Sequence, residues 1–308
     1  MTEQQRIRNL RVPDGTVDAV LDTDAFNEID DQYALAYLLA SDDKIRLQAL
    51  YAAPFFNDKS ASPKDGMEKS YREILNILDL AGKGSFQSRT YRGSETYLPD
   101  ERTPVVSDAA AHLAELAARY SPDRPLYVVA IGAITNVASA LLMKPEIAEN
   151  IVIVWLGGHA FHCDDTREFN MIQDIAAARV VCGCGAPLVL LPCVGVVDQF
   201  RTTGPELVHW LAGKNPLCDY LVQNTVNEAE SYAKGKPWSR VIWDVTAVAW
   251  LLNDGGRFLD SRLEPSPIPQ YDGHYSFDSR RHPLRYVTQV NRDCLFEDVF
   301  MKLSKLGG

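Results

Sequence analysis

The sequence predicts an α/β fold, an open and mostly parallel central sheet with helices on both faces. Two patterns carry that reading. Short apolar, β-branched runs recur along the chain, and segments with apolar residues at helical spacing alternate with them. The composition supports it with room for a large core: 308 residues, 46% hydrophobic and 23% charged, with 19 Gly and 17 Pro. Collagen-like, disordered and coiled-coil chains are excluded by the same figures.

In chain order, residues 17–21 read as a buried strand and 31–40 as a helix. Residues 45–51 form the next strand, followed by helical stretches at 67–80 and 109–120. A strand at 126–131, a helix at 136–143 and a strand at 151–156 continue the alternation. A helix at 172–182 and a strand at 188–191 complete it. Strand, helix and strand in this succession imply crossover connections between parallel strands. Residues 52–66 and 257–283, rich in Pro, Gly, Ser and Asp, break the rhythm and read as long loops. Residues 285–291 return to a strand pattern and 294–305 to an amphipathic helix, so the C-terminus is expected to pack back on the rest. Residues 1–308 are expected to form a single domain.

Acidic residues outnumber basic ones 41 to 31, a net charge of −10, with a pI near 5.1. That sign is wrong for a surface that collects phosphates, so nucleic acid is not an expected partner. No apolar run approaches the ~20 residues of a membrane helix. The opening MTEQQRIRNLRVPDG lacks the apolar stretch of a signal peptide. A cytoplasmic location away from membranes is expected. The six cysteines (Cys163, Cys182, Cys184, Cys193, Cys218 and Cys294) are too scattered for a disulfide framework and read as reduced thiols.

In open α/β sheets ligands bind beyond the carboxyl ends of the strands, so polar residues directly after a strand are the informative ones. After residues 17–21 the chain reads Asp22-Thr23-Asp24-Ala25-Phe26-Asn27-Glu28-Ile29-Asp30-Asp31, five acids in ten positions. Helix N-capping accounts for one or two of them. Five crowded carboxylates repel one another unless a cation or protons offset the charge, which points to a hard-metal site for Ca²⁺ or Mg²⁺. The helix N-terminus is expected to keep Asp30 and Asp31 ionised at neutral pH. Asp244 stands in a similar place, after residues 240–243 and before an apolar helical stretch. A third polar group, Glu168-Phe169-Asn170, follows the strand at 151–156 and its Gly157-Gly158 turn.

Together these segments resemble the nucleoside hydrolase family, calcium-dependent enzymes that cut the N-glycosidic bond of ribonucleosides. The likeness runs from about Asp22 to Leu252. Its most specific element is the aspartate-rich motif Asp22, Asp24, Asp30 and Asp31. The middle passage from Leu126 to Gly158, including Gly132 and Thr135-Asn136, is similar to the family's strand, turn, helix and strand. Glu168-Phe169-Asn170 matches the ribose-binding tripeptide, and Asp244 falls at the late calcium ligand. The resemblance implies a Rossmann-like nucleoside hydrolase fold, a ribonucleoside substrate, and assembly as a homodimer or homotetramer.

Carried over residue by residue, the resemblance gives Asp24, Asp31, Asp244 and the backbone carbonyl of Ile131 to Ca²⁺, with Asp22 bracing them. Asp30 would take a proton from a metal-bound water, and Glu168 and Asn170 would bind the ribose hydroxyls. Ca²⁺ accepts 6 to 8 oxygens, which leaves places for a water and a vicinal diol. Trp243, where some members have a histidine, would stack on the base as in purine-preferring members, with Trp238 closing from the other side. His162 replaces an asparagine of the family pattern and belongs to the same base-binding group. Five residues rather than three separate Asp24 from the aspartate pair, a two-residue insertion within 25–29.

Two further readings compete. Asp22-Thr23-Asp24 suggests a phosphotransferase nucleophile and acid, but Phe26 stands where that pattern wants Thr or Val. A metal- or sugar-binding protein on the same fold without turnover is the other.

Overall fold

The computed structural model describes residues 1–306. Eight strands form its central sheet: β1 (Val17–Thr23), β2 (Ile45–Ala52), β3 (Thr90–Arg92), β4 (Leu126–Ala130), β5 (Ile151–Leu156), β6 (Leu188–Leu191), β7 (Leu259–Pro265) and β8 (Pro283–Val290). Their order across the sheet is β3-β2-β1-β4-β5-β6-β8-β7. Every neighbouring pair is parallel except β8 with β7.

Alternation along the strands feeds two cores. Ala19 and Leu21 of β1, with Val152 and Val154 of β5, face one side, whereas Val20, Ile151 and Ile153 face the other. In chain order the helices are α1 (Glu3–Asn9), α2 (Ile29–Leu39), α3 (Pro63–Leu80), α4 (Asp108–Ala117), α5 (Thr135–Met143), α6 (Phe169–Gln173), α7 (Ile175–Gly183), α8 (Gly204–Leu211), α9 (Pro216–Ala233), α10 (Val245–Leu251) and α11 (Arg292–Leu303). The first face is closed by Leu35 of α2, Ile77 of α3, Leu221 of α9, Trp250 of α10 and Phe300 of α11. Leu113 of α4, Val137 of α5 and Val181 of α7 close the second. Each such side chain taken fully out of water contributes about 1.5–3 kcal/mol.

The stretch at 257–283 is not the long loop that its composition suggests. It carries β7, which pairs antiparallel with β8 at the sheet edge, and a short ribbon joining 268–269 to 275–276. Edge strands bury little, and β7 buries only Leu259, its other leucine, Leu263, being exposed, so its order comes from backbone pairing that hydropathy does not display. The helix expected at 172–182 is two helices. Asp174 breaks it with an extended φ of −143°, and its carboxylate accepts the N–H of Ala177 to cap α7. The sequence reading also passes over α1, α8, α9 and β3. At the start of α9 the Asn215 side chain accepts from Cys218 N, with Pro216 in the first turn.

Strand order reverses between β1 and β4. There successive crossovers diverge and leave a crevice at the strands' carboxyl ends, the place where open α/β sheets bind ligands. The two ends are tied by Ile131 N–H donating to the Asp22 carbonyl at 2.9 Å.

Candidate active site

The floor of this crevice is acidic. Asp22 and Thr23 are still in β1; the chain then turns and enters α2, with Glu28 at the N-cap position. Every residue of α2 is buried, which places Asp30 and Asp31 of its first turn inside the protein. Asp244, immediately before α10, arrives from the far side, and one carboxylate oxygen from each of Asp30, Asp31 and Asp244 lies within 4.8 Å of the other two. Asp24 belongs to the same group. Its Oδ1 lies so near Gly132 that a Cβ there would come within 2.9 Å of it, and its charge repels those of Asp31 and Asp244.

Few donors meet these acids. Thr23 Oγ1 donates to Asp31 Oδ1 at 2.5 Å. Both oxygens of Asp24, Oδ1 of Asp30 and Oδ2 of Asp22 are buried without a hydrogen-bond partner. Burial pushes Asp22 up to about 7. Burial and then Glu28 push Asp30 up to about 7, against the pull of Arg240. Asp24, Asp31 and Asp244 are raised by burial first and then by neighbouring carboxylates, Asp31 acting on Asp24, Asp30 on Asp31, and Asp30, Asp31 and Asp24 on Asp244. In the metal-free chain, burial thus opposes the ionisation that a helix N-terminus favours for Asp30 and Asp31. The desolvation of a fully buried pair outweighs a helix end's ~0.3–1 kcal/mol. Clustered oxygen donors with unfilled lone pairs fit a hard divalent cation, whose charge reverses this balance.

Around the floor, polar side chains fix the geometry. Asn136 donates to Asp22 Oδ1 at 2.8 Å and to the Ala52 carbonyl, and its Oδ1 accepts from Ser94 N and Oγ. Glu168 is the N-cap of α6. Its Oε2 accepts Gly158 N–H at 2.7 Å and Met171 N–H at 2.9 Å, while Oε1 accepts Asn170 N–H at 2.8 Å. Burial still pushes Glu168 up to about 7 against these three bonds. Asn170 Nδ2 donates to the carbonyls of Ile131 and Leu156 at 3.2 and 3.1 Å, so Ile131 O has one lone pair engaged.

A cleft of about 210 Å³ opens above. It is lined by Asp24, Asp30, Asp31, Asp244, Ile131, Glu168, Asn170 and Trp243 among the expected residues, and also by Glu28, His159, Arg167 and Val194. Trp238 and His162 do not line it. Trp238 packs where a Cβ on Gly204 would meet its ring at 2.8 Å, and His162 is exposed against Gly195. Neither position is readable from spacing, because both residues sit on irregular segments. The sequence reading missed the partnership of Glu28 with Arg240, whose Nη2 donates to Glu28 Oε2 at 2.5 Å. The crowding of acids was its only signal.

The family model for inosine-uridine preferring nucleoside hydrolases matches residues 19–295, which takes in every element of the cleft. The chain belongs to this nucleoside hydrolase family. Among its relatives is a probable uridine nucleosidase 2 of Arabidopsis thaliana, 27% identical over 158 residues, 50% of this chain and 48% of the relative. A pyrimidine-specific ribonucleoside hydrolase, RihA, of Citrobacter koseri is 24% identical over 68% of this chain and 76% of its own length. The chain thus spans about half the length of the plant relative. A purine-preferring ribonucleoside hydrolase from Gardnerella vaginalis has the same fold, with a TM-score of 0.73 at 20% identity, covering 94% of this chain and 98% of that one. Nucleoside hydrolases generally use a metal ion, and the buried triad Asp30, Asp31 and Asp244 is present here. No described helix is long and apolar enough to cross a membrane, and all six cysteines are free thiols.

Proposed function

We propose that this chain hydrolyses the N-glycosidic bond of ribonucleosides, leaning toward purines, to give free base and ribose. The observation that carries the reading is the set of buried, unpartnered carboxylate oxygens of Asp22, Asp24 and Asp30 beside Glu168 and Asn170. Asp24, Asp31, Asp244 and the second lone pair of Ile131 O would hold Ca²⁺, which when bound orients a vicinal diol and polarises water.

The chain's own residues supply the rest. Asp30 takes a proton from the attacking water, a role suited to a carboxylate with a raised proton affinity. Asp22, held by Asn136, keeps the loop of Asp24 against β4. The buried anions stabilise positive charge that develops on the ribosyl centre as the bond to the base lengthens. Glu168 and Asn170 present oxygens to the ribose hydroxyls, and the indole of Trp243 offers a stacking face for ~1–3 kcal/mol, larger for a purine. Residues 1–308 act as one domain, in the cytoplasm, as a homodimer or homotetramer.

A second reading, a metal- or sugar-binding protein without turnover, draws on Glu168, both of whose oxygens already serve backbone amides. Ribose release from a panel of ribonucleosides, with and without chelator, separates the two. Calcium-dependent release, faster on inosine, guanosine or adenosine than on uridine, is expected, and Trp243→Ala should erase the purine advantage. No release from any nucleoside would leave the binding reading.

A further inference from the structure

Cutting the glycosidic bond leaves an electron pair on a base nitrogen, and the acids on the cleft floor are poorly suited to neutralise it. Of the chain's six histidines, His159 alone lines the cleft among the described residues. It directly follows Gly158, whose N–H holds Glu168 Oε2, so the peptide that positions a ribose-facing carboxylate also positions this ring. The backbone N–H of His159 donates to Thr166 Oγ1 at 3.3 Å, and the ring makes no hydrogen bond to a described residue. Its Nδ1 is buried and unpartnered.

Asp198 has its own buried, unpartnered Oδ1, and the charges of Asp198 and Asp165 act on His159 in the sense that favours its protonated form, against burial, the larger effect. An imidazole that lines the cleft with its Nδ1 buried and its ring free of other bonds is free to pass a proton to a ligand there. Trp243 lines the same cleft, but an indole face stacks without giving up a proton.

We propose that His159 is the leaving-group acid of this cleft. The inference rests on the reaction proposed above. As the bond from C1′ to the base breaks, its electron pair goes to the base, and the His159 Nε2 proton is transferred to a base nitrogen. Water adds to C1′ and gives its proton to Asp30. The sum is one water consumed, one base and one ribose formed; Asp30 then returns its proton to solvent and His159 takes one up, which restores both groups.

Inosine and p-nitrophenyl β-riboside, whose phenolate leaves without a proton, separate this role from a structural one. His159→Gln and His159→Asn should lower kcat/KM on inosine by ~10²–10⁴-fold and keep the aryl riboside within about threefold of wild type. Equal losses on both substrates in a cooperatively melting variant, or no loss on either, would overturn the assignment. Wild type provides a check that needs no variant: kcat/KM should depend only shallowly on leaving-group pKa across nucleosides, whose bases take the His159 proton, and steeply across aryl ribosides, which leave unassisted. A steep dependence across the nucleosides also overturns it. Wild-type protein that cleaves neither substrate would instead refute the hydrolase reading itself.

Discussion

Glu28 and Arg240 are joined by a 2.5 Å ion pair that links the residue capping α2 to the segment running into Asp244. Arg240 also lies 3.7 Å from Glu228 of α9, which in turn pairs with Lys59. Lys59 reaches the Asn27 carbonyl, and Asn57 reaches the Asn27 side chain. The insertion at 25–29 is therefore held on both flanks rather than left loose beside the acid cluster.

Arg240→Gln should accordingly weaken Ca²⁺ binding without removing any ligand. The pair is partly exposed, so its loss is expected to cost about 1–2 kcal/mol, between surface and buried cases. Calorimetric titration of Ca²⁺ into the variant checks this, and unchanged affinity would mean that α2 holds the cluster alone.

Saturating calcium should raise the melting temperature. An ion at a hundred times its Kd stabilises by about 2.7 kcal/mol. Asp244→Ala should fold but lose the shift and the turnover, and full activity in excess chelator would remove calcium from the mechanism.

The chelated protein should also be more stable at pH 6.5 than at pH 8. Asp22, Asp30 and Glu168 stand near 7 in the fold against ordinary values of 3.8 and 4.5. The folded state therefore binds more protons than the unfolded chain, and stability falls as pH rises through that window. His282, pushed down to about 4 by burial and by Arg6 and Arg281, works in the opposite sense below its ordinary 6.5. Melting curves with chelator and with calcium check the sign, and calcium should flatten the dependence.

Asp30→Asn should keep nucleoside affinity and lose turnover by ~10²-fold or more, the usual effect of removing a proton acceptor. Near-normal kcat would move the base to Glu28, which also lines the cleft.

Adenosine should be preferred over 2′-deoxyadenosine by up to ~10⁴-fold. A site that binds both vicinal hydroxyls leaves buried polar groups unpaired when one is missing. Equal rates would contradict diol recognition by the metal, Glu168 and Asn170.

Most of the sheet was legible because β4, β5 and β6 bury continuous apolar runs, while β1 and β2 are apolar at most positions. β7 was not, because an edge strand such as residues 259–265 is held by main-chain pairing, and the 172–182 helix hid the capping role of Asp174. In the cleft, acids crowded within ten residues were visible as a cluster. The turn of His159 into the cleft and the removal of His162 and Trp238 from it depend on loop conformation. The bond between Glu28 and Arg240 depends on tertiary approach. Neither leaves a periodic trace.

The acid cluster at the strand-order reversal joins Asp22, Asp24, Asp30 and Asp31 with Asp244, which is made much later. During synthesis the first four acids are exposed on the ribosome long before their last partner emerges, so no intact cation site exists until α10 has been translated and docked. The proposed cation affinity would then require α10 in place, and a nascent or truncated chain ending before residue 244 should neither gain heat resistance from calcium nor compete for it. Calcium would stabilise completed copies against turnover while leaving unfinished ones open to proteolysis.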